Sequence, residues 1–337
     1  MNRLAIVVLN WNCADDAIKC MESLLAQELI PDILLVDNFS KQDSIDELEQ
    51  YIAKRNDARI VFLKNDVNSG YTGGNNVGFR YALDHTYDYI GTLNPDAVAD
   101  KSWAKQLCAV LDSNQEVGIV AGILARSDKK HTDSTGDWYT TWGIPSPRGR
   151  DKILDEAPKD SEYIFGATGG GFIARAALMK EVGLLDERFF MYYEDVDFCF
   201  RSQLAGYKVY YTPKAVAYHK ISASTNKVPG LAVRQTFKNL PMLFVKDVPL
   251  SLWPHILPRF TLTYILIFGN AVVHGNGWPA FVGWSKSLGL IPHMWRERRR
   301  IQSSRKVSDT YINSIILHDI PPEQTGMRKF RKFFTGK

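Results

Sequence analysis

Tyr89-Ile90-Gly91-Thr92-Leu93-Asn94-Pro95-Asp96-Ala97 is an apolar run that stops at a proline and hands over to a carboxylate. Pro95 has no N–H for a ladder and fixes its own φ, so the strand ends at Leu93 and the chain turns with Asn94 and Asp96 at the sheet edge. Short apolar runs of the same kind, bounded by polar or turn residues, recur at 4–9, 33–36, 59–63 and 118–123. Helix-like segments lie between most of them, at 15–26, 44–55, 75–86 and 102–113, with Asp43, Ser44 or Ser102 as N-caps. That alternation predicts an α/β layer fold around a mostly parallel sheet. Ligands of such sheets collect at the strand C-termini.

Three further segments place polar groups at such ends. Asp37 closes the run Ile33-Leu34-Leu35-Val36, where a carboxylate can hydrogen-bond a base or ribose, although a turn role explains it equally well. Asn68-Ser69-Gly70-Tyr71-Thr72-Gly73-Gly74-Asn75-Asn76 reads as a glycine-rich turn running into a helix, whose amides suit phosphate or ribose oxygens. Its spacing is neither G-x-G-x-x-G nor G-x-x-x-x-G-K-[ST]. The first strand–helix turn, Asn10-Trp11-Asn12-Cys13, has no glycine at all, which argues against a dinucleotide-binding domain and a P-loop.

The third segment, Tyr192-Tyr193-Glu194-Asp195-Val196-Asp197, is an acidic helix start behind aromatics. Asp197 and Arg201 are spaced to pair on one helical face, whereas Glu194 and Asp195 point about 100° apart, so one of the two faces a given substrate. The helix dipole favours acids there regardless of function. Aromatic neighbours, however, desolvate a carboxylate and raise its pKa towards that of a usable general base. Asp96 offers a hard oxygen to Mg²⁺ or Mn²⁺, which bind one or two carboxylates plus substrate phosphates, and His219 at a later strand end can complete that site.

The chain of 337 residues carries a formal charge of only +4, but basic residues crowd its end: Arg296, Arg298, Arg299, Arg300, Arg305, Lys306, Arg328, Lys329, Arg331, Lys332 and Lys337. Its four cysteines show no C-x-x-C pair, so neither a zinc site nor a disulfide framework is indicated and a reducing cytoplasm fits. The apolar start at 4–9 is too short for a signal peptide and reads as a buried strand. Residues 126–159 have no period and read as a long irregular loop, and 207–219 as a strand pair. From about Pro229 prolines, tryptophans and aliphatics dominate. The uncharged stretch 260–273 falls short of the roughly 20 residues that a membrane span needs. This region either covers the sheet as a helical core or lies on a membrane surface, and the arginines that follow tip the balance towards an anionic one.

Taken in order, these segments resemble the inverting family-2 glycosyltransferases of the GT-A fold, particularly the rhamnosyltransferase-like branch that builds bacterial surface polysaccharides. The resemblance covers about residues 3–225. It implies a catalytic domain at 1–228, with a nucleotide-sugar half at 1–125 and an acceptor half at 160–228, followed by a helical, aromatic and basic extension at 229–337. By the same resemblance Asp37 contacts the nucleobase, and Asn10, Asn12, Asn68, Gly70, Tyr71, Gly74 and Asn75 line the nucleotide pocket. Asn94-Pro95-Asp96 stands for the family's Asp-x-Asp motif, with Asn first, leaving Asp96 as its only carboxylate. Gly169, Gly170, Gly171 and Glu194 then lie beside the sugar and acceptor, Asp195 is the catalytic base, and His219 joins Asp96 on the metal.

The activity so implied is transfer from a nucleotide-diphosphate sugar, best matched by dTDP-rhamnose, to a saccharide or lipid-linked saccharide. A UDP-sugar donor is the near alternative, since uracil and thymine show the same polar edge. A non-catalytic nucleotide-sugar-binding protein is the other. A nucleic-acid partner is not expected, because the 296–300 arginine run lacks interleaved aromatics and leaves the acidic group unexplained. The expected location is the cytoplasm, peripheral on the inner face of its membrane.

Overall fold

The structure, a computed structural model, describes residues 2–220, 228–320 and Arg328. Lys329, Arg331, Lys332 and Lys337 lie outside the described residues. Four strands open the chain, β1 (Leu4–Asn10), β2 (Asp32–Asp37), β3 (Ile60–Lys64) and β4 (Tyr89–Leu93), alternating with α1 (Ala14–Leu25), α2 (Gln42–Arg55) and α3 (Gly70–Asp84). The short β5 (Ala97–Ala99) and α4 (Trp103–Ser113) lead into β6 (Val117–Arg126). Then come β7 (Thr132–Ser134), β8 (Asp137–Tyr139), β9 (Pro145–Pro147), β10 (Glu162–Ile164) and β11 (Gly171–Arg175). Helices α5 (Ala176–Val182) and α6 (Glu194–Leu204) precede the long β12 (Lys208–His219). The chain continues through α7 (Leu231–Asp247), α8 (Trp253–Val273), α9 (Gly277–Gly289), α10 (Ile291–Ser303) and α11 (Asp309–Ile315).

The main path of the sheet is β10-β12-β6-β11-β4-β1-β2-β3. β3, β2, β1 and β4 are parallel, β11 runs antiparallel between β4 and β6, and β12 returns parallel to β6. The result is the mixed, mostly parallel sheet of a GT-A fold with a helical C-terminal region. Successive side chains in a strand point to opposite faces, and both faces are covered. Leu4, Ile6 and Val8 pack with α1 and α4 side chains such as Met21 and Leu107. Ala5, Val7 and Leu9 pack with Phe79 of α3 and Phe198 of α6.

Four local expectations change. Helix α3 begins at Gly70 rather than near Asn75, because glycines that disfavour an isolated helix here let it approach the sheet: a Cβ on Gly74 would sit 2.4 Å from Leu9 and one on Gly78 2.7 Å from Val7. The expected irregular loop at 126–159 contains β7, β8 and β9, which are too short for a period to show. Residues 208–219 form one bulged strand rather than a pair. None of the expected caps acts through its side chain: α2 starts after Lys41, with Asp43 and Ser44 inside it, and Ser102 makes no cap bond.

The C-terminal region also differs from its reading. Helix α8 is 21 residues long and contains Pro258 and Arg259, so by length and composition the segment Leu250–Val273 can cross a bilayer. Its buried residues Ile256, Phe260, Thr263 and Ala271 recur along one face, however, and Phe260 stacks on Phe244 of α7 at 4.8 Å. It lies against the rest of the protein along its length.

Candidate active site

Because β1, β2, β4, β6 and β12 run in one direction, Asn10, Asp37, Asn94, Asp96 and His219 reach the same edge of the sheet. β11 starts there from Gly171. On the β1–β2 side the polar groups satisfy one another. Asn10 donates from Nδ2 to Asp37 Oδ1 (2.8 Å) and Ser40 Oγ (3.1 Å), and the Ser40 amide donates to Asp37 Oδ2 (3.0 Å). Asp37 is 1 % exposed, so in this conformation it organises the rim. Asn12, in a left-handed conformation, accepts from the Lys41 amide at 2.7 Å.

Asn38 is the hub of the next layer. It donates to Asn68 Oδ1 (3.1 Å) and the Gly70 carbonyl (3.0 Å), and accepts from the Ser69 amide and hydroxyl and from Asn65. The Asn75 side chain is buried too, donating to the Tyr71 carbonyl (2.8 Å) and accepting from Thr92 (3.2 Å). Much of the polar and glycine-rich stretch therefore serves the close contact of α3 with the sheet. Tyr71 reaches across instead: its hydroxyl donates to the Gly169 carbonyl at 2.5 Å.

Asp96 and His219 meet as the sequence suggests. His219 Nε2 lies 3.0 Å from Asp96 Oδ1 and 3.2 Å from Asn94 Nδ2, and its Nδ1 lies 2.8 Å from Asp133 Oδ2. Burial works against a charged imidazole, but the two carboxylates prevail and raise its pKa to about 9. Once Nε2 gives up the proton it shares with Asp96, the two atoms 3.0 Å apart would match the edge of an octahedron with bonds of about 2.1 Å, as Mg²⁺ prefers. Asp133 behind Nδ1 fixes the ring as metal-ligating histidines are commonly fixed. Among the described residues no three His, Cys, Asp or Glu side chains converge on one point, so the protein offers a divalent ion two donors and leaves the rest to a ligand. An open cleft of ≈ 640 Å³ leads from Asp96 past Lys19, Lys101, Lys129 and Lys220, with Asp16 and Asp100 also in its lining and Asp16 paired to Lys220 at 3.3 Å.

The opposing wall carries the acids. Asp195, in the first turn of α6, accepts from the Gly169 amide (2.7 Å) and its own helix's Val196 amide (2.9 Å). Burial raises its pKa despite those amides and Arg150 nearby. Glu194 is 5 % exposed, and its Oε2 has no partner among the described residues. Burial and then the charge of Asp195 push its pKa well above the usual carboxylate range, which favours the protonated form. Asp137 of β8 is raised for the same two reasons. Asp195 is thus the member of the group best able to lose a proton and take one back. Gly169 flanks it closely, for a Cβ there would stand 3.3 Å from Asp195 Oδ2.

What holds Asp195 in place comes from far along the chain. Phe190, Tyr192 and Tyr193, just before it, all have positive φ, a conformation that costs a non-glycine residue about 1–3 kcal/mol. Asn239 of α7 donates from Nδ2 to the Phe189, Met191 and Tyr192 carbonyls at 3.1, 2.8 and 2.8 Å, and Lys238 Nζ donates to the Arg188 carbonyl at 2.7 Å. Lys246 bridges Asp186 (2.8 Å) and Asp197 (2.6 Å), the latter also bound by Arg201 at 2.9 Å as its spacing predicts. Asn38, Asp133, Arg150, Lys238 and Asn239 escaped the sequence reading. Only Asn38, beside a strand-end carboxylate, carried any local sign.

A mixed sheet that gathers a carboxylate–histidine pair, a glycine-lined rim and a buried acidic helix start at one edge has the form of a nucleotide-sugar transferase of the GT-A class. The model of "Glycosyl transferase family 2" matches residues 5–183, and the chain belongs to that family. It is 29% identical over 208 residues to a low-salt glycan biosynthesis hexosyltransferase of Haloferax volcanii, covering 60% of this chain and 62% of that one. It is 23% identical over 205 residues to a dTDP-rhamnosyl transferase of Shigella flexneri, covering 60% and 64%. The matched region spans less than two thirds of either relative. Among solved structures, a mannosyltransferase from Pyrobaculum calidifontis in complex with GDP-Man and Mn²⁺ superposes with a TM-score of 0.54 at 13% identity, covering 93% of this chain and 86% of that one; this likeness speaks for the fold alone.

Proposed function

We propose that the protein is an inverting glycosyltransferase that moves a hexose, with rhamnose from dTDP-rhamnose as first choice, onto a saccharide or lipid-linked saccharide in surface-glycan synthesis. The carrying observation is the pairing, at one sheet edge, of the Asp96–His219 couple with Asp195, which the Gly169 amide holds at 2.7 Å beside the buried Glu194. The rhamnosyl and hexosyl relatives support the donor class.

The donor's nucleotide lies along the Asn10, Asp37, Asn68 and Gly70 rim. Asp96 and His219 would hold a divalent ion, which when bound supplies Lewis-acid stabilisation of the departing diphosphate. Asp195 accepts the proton of the acceptor hydroxyl, whose oxygen bonds to the anomeric carbon as the bond from that carbon to the phosphate oxygen breaks. With Asp195 acting as base and burial favouring the protonated forms of Glu194 and Asp137, the reaction is one displacement and therefore inversion. The Gly169 amide keeps Asp195 aimed, and Glu194 stays protonated beside it, so the base works without a second negative charge at its side.

Binding and transfer measured over a panel of dTDP-, UDP- and GDP-sugars, with and without Mn²⁺, test this. Nucleotide-sugar binding that strengthens with Mn²⁺, hydrolysis of the donor without acceptor, and weak metal binding in the absence of nucleotide are expected. Binding without any turnover would make the protein a nucleotide-sugar sensor instead.

A further inference from the structure

We infer that the outer face of α8, α9 and the start of α10 docks flat on an anionic lipid bilayer. Helices α8 and α9 both pack on α7 and on each other. Phe237 of α7 meets Tyr264 and Phe268 of α8 edge-on at 5.1 and 5.3 Å, and Tyr264 donates its hydroxyl to the Phe237 carbonyl. Gly283 of α9 lies so near the Arg234 carbonyl that a Cβ there would stand 2.2 Å away. Two helices seated on a third turn their backs to the same side. That back is apolar: Ile265, Val272 and Val273 of α8 are exposed, and so are Trp278, Phe281 and Trp284 of α9, which form one aromatic row with successive ring centroids 5.7 Å apart. Trp278 is 72% exposed.

The character of this surface selects its partner. Of the three exposed tryptophans of the described residues two, Trp278 and Trp284, lie on it, and the third, Trp295, follows in the first turns of α10, although the chain has 8 in total. Tryptophan favours the headgroup level of a bilayer, where an apolar body and a polar N–H are both accommodated. Between Asp247 and Glu297 the chain has no acidic residue, while Arg259, Lys286 and Arg296 are present and Arg299 follows on the same helix face as Trp295. An apolar surface edged by cations alone complements anionic lipid. Arg298 is not part of it, since its guanidinium is buried on the Val245 and Val248 carbonyls.

Docking along α7 keeps α8 in the plane of the surface despite its span-like composition. Helix α7 is also the one whose Asn239 and Lys238 grip the loop before Asp195. A docked surface would therefore lie about one helix diameter, roughly 10 Å, from the helix that positions the catalytic base. The docking face makes no assumption about the sugar transferred.

Flotation of the full chain with phosphatidylcholine vesicles, with and without phosphatidylglycerol, tests this. The protein is expected to float with the anionic vesicles and to be released by high salt. Arg296→Gln with Arg299→Gln should lower anionic-vesicle partitioning by roughly ten- to thirtyfold, and Trp278→Ser, Phe281→Ser and Trp284→Ser together by at least about tenfold. Both variants should keep the parent's melting temperature and nucleotide-sugar binding, which separates loss of docking from loss of fold or donor site. A parent chain that stays unbound on anionic vesicles overturns the inference, as does a triple variant that floats like the parent. A concentration-dependent dimer abolished by the triple variant, without flotation, would reassign the face to a second copy.

Discussion

The two walls of the site are built in opposite ways. On the side proposed for the donor, Asn10, Asp37, Asn38 and Ser40 are satisfied by one another and by the Asn68-Ser69-Gly70 turn, at the ends of neighbouring strands that pack in chain order. On the side proposed for the acceptor, the loop carrying Asp195 has three non-glycine residues with positive φ and is held by Lys238, Asn239 and Lys246, about 50 residues further on in the case of Asn239. The first wall follows from its own sequence. The second is a strained segment clamped from outside, so its geometry belongs to the C-terminal helices as much as to its own sequence.

The sharpest break between the walls is expected from Asp195→Asn. Removing the base should cost about 10²–10⁴ in transfer rate while the donor rim keeps its nucleotide affinity. Parallel measurement of turnover and of nucleotide binding by calorimetry checks it, and unchanged turnover would remove Asp195 from the mechanism. Lys246→Met attacks the clamp rather than the base. It leaves Asp186 and Asp197 buried without their shared cation, a loss of about 3–5 kcal/mol in unfolding free energy by denaturant titration. In the parent, burial opposes ionisation of both acids, but Lys246 and, for Asp197, Arg201 hold them below the usual carboxylate range. Such acids contribute stability above their unfolded pKa and lose it as the pH falls. The gap between parent and Lys246→Met should therefore narrow in acid, where the orphaned carboxylates take up protons.

Two asparagines give the comparison its control. Asn38→Ala strips an acceptor from Ser69 and Asn65 on the donor wall and should raise KM for the nucleotide sugar with kcat largely kept. Asn239→Ala frees three carbonyls of the acceptor-wall loop and should lower kcat by about tenfold or more with KM for the donor kept. If both variants change the same constant, the walls are not separate.

The same contrast explains what could be read from the sequence. The parallel strands were legible because both faces of each are buried, which gives continuous apolar runs such as Ile33-Leu34-Leu35-Val36. Asp96 and His219 were legible as strand-end polar groups, and the structure brings them within 3.0 Å. Asp133 was not, because β7 has three residues and no period betrays it. Asn239 was not, because an asparagine inside a helix carries no sign of the carbonyls it meets. The start of α3 was misjudged because glycine counts against a helix in isolation, whereas here its missing side chain admits Leu9 and Val7.

The smallest expected effect concerns the neighbours of the base. Burial raises the pKa of Asp195, so the acid limb of the transfer-rate profile should sit above the ordinary carboxylate range, with activity falling as pH drops and the base takes up a proton. Arg150, paired to Asp133 at 3.1 Å, opposes that shift by its charge. Arg150→Gln should then move the limb to still higher pH with little loss of plateau rate. Glu194→Gln should leave the limb where it is, because burial and the neighbouring Asp195 already favour the uncharged form of Glu194 that glutamine mimics. A limb that moves down in Glu194→Gln would show that Glu194 carries the negative charge while Asp195 holds the proton, and would exchange their roles.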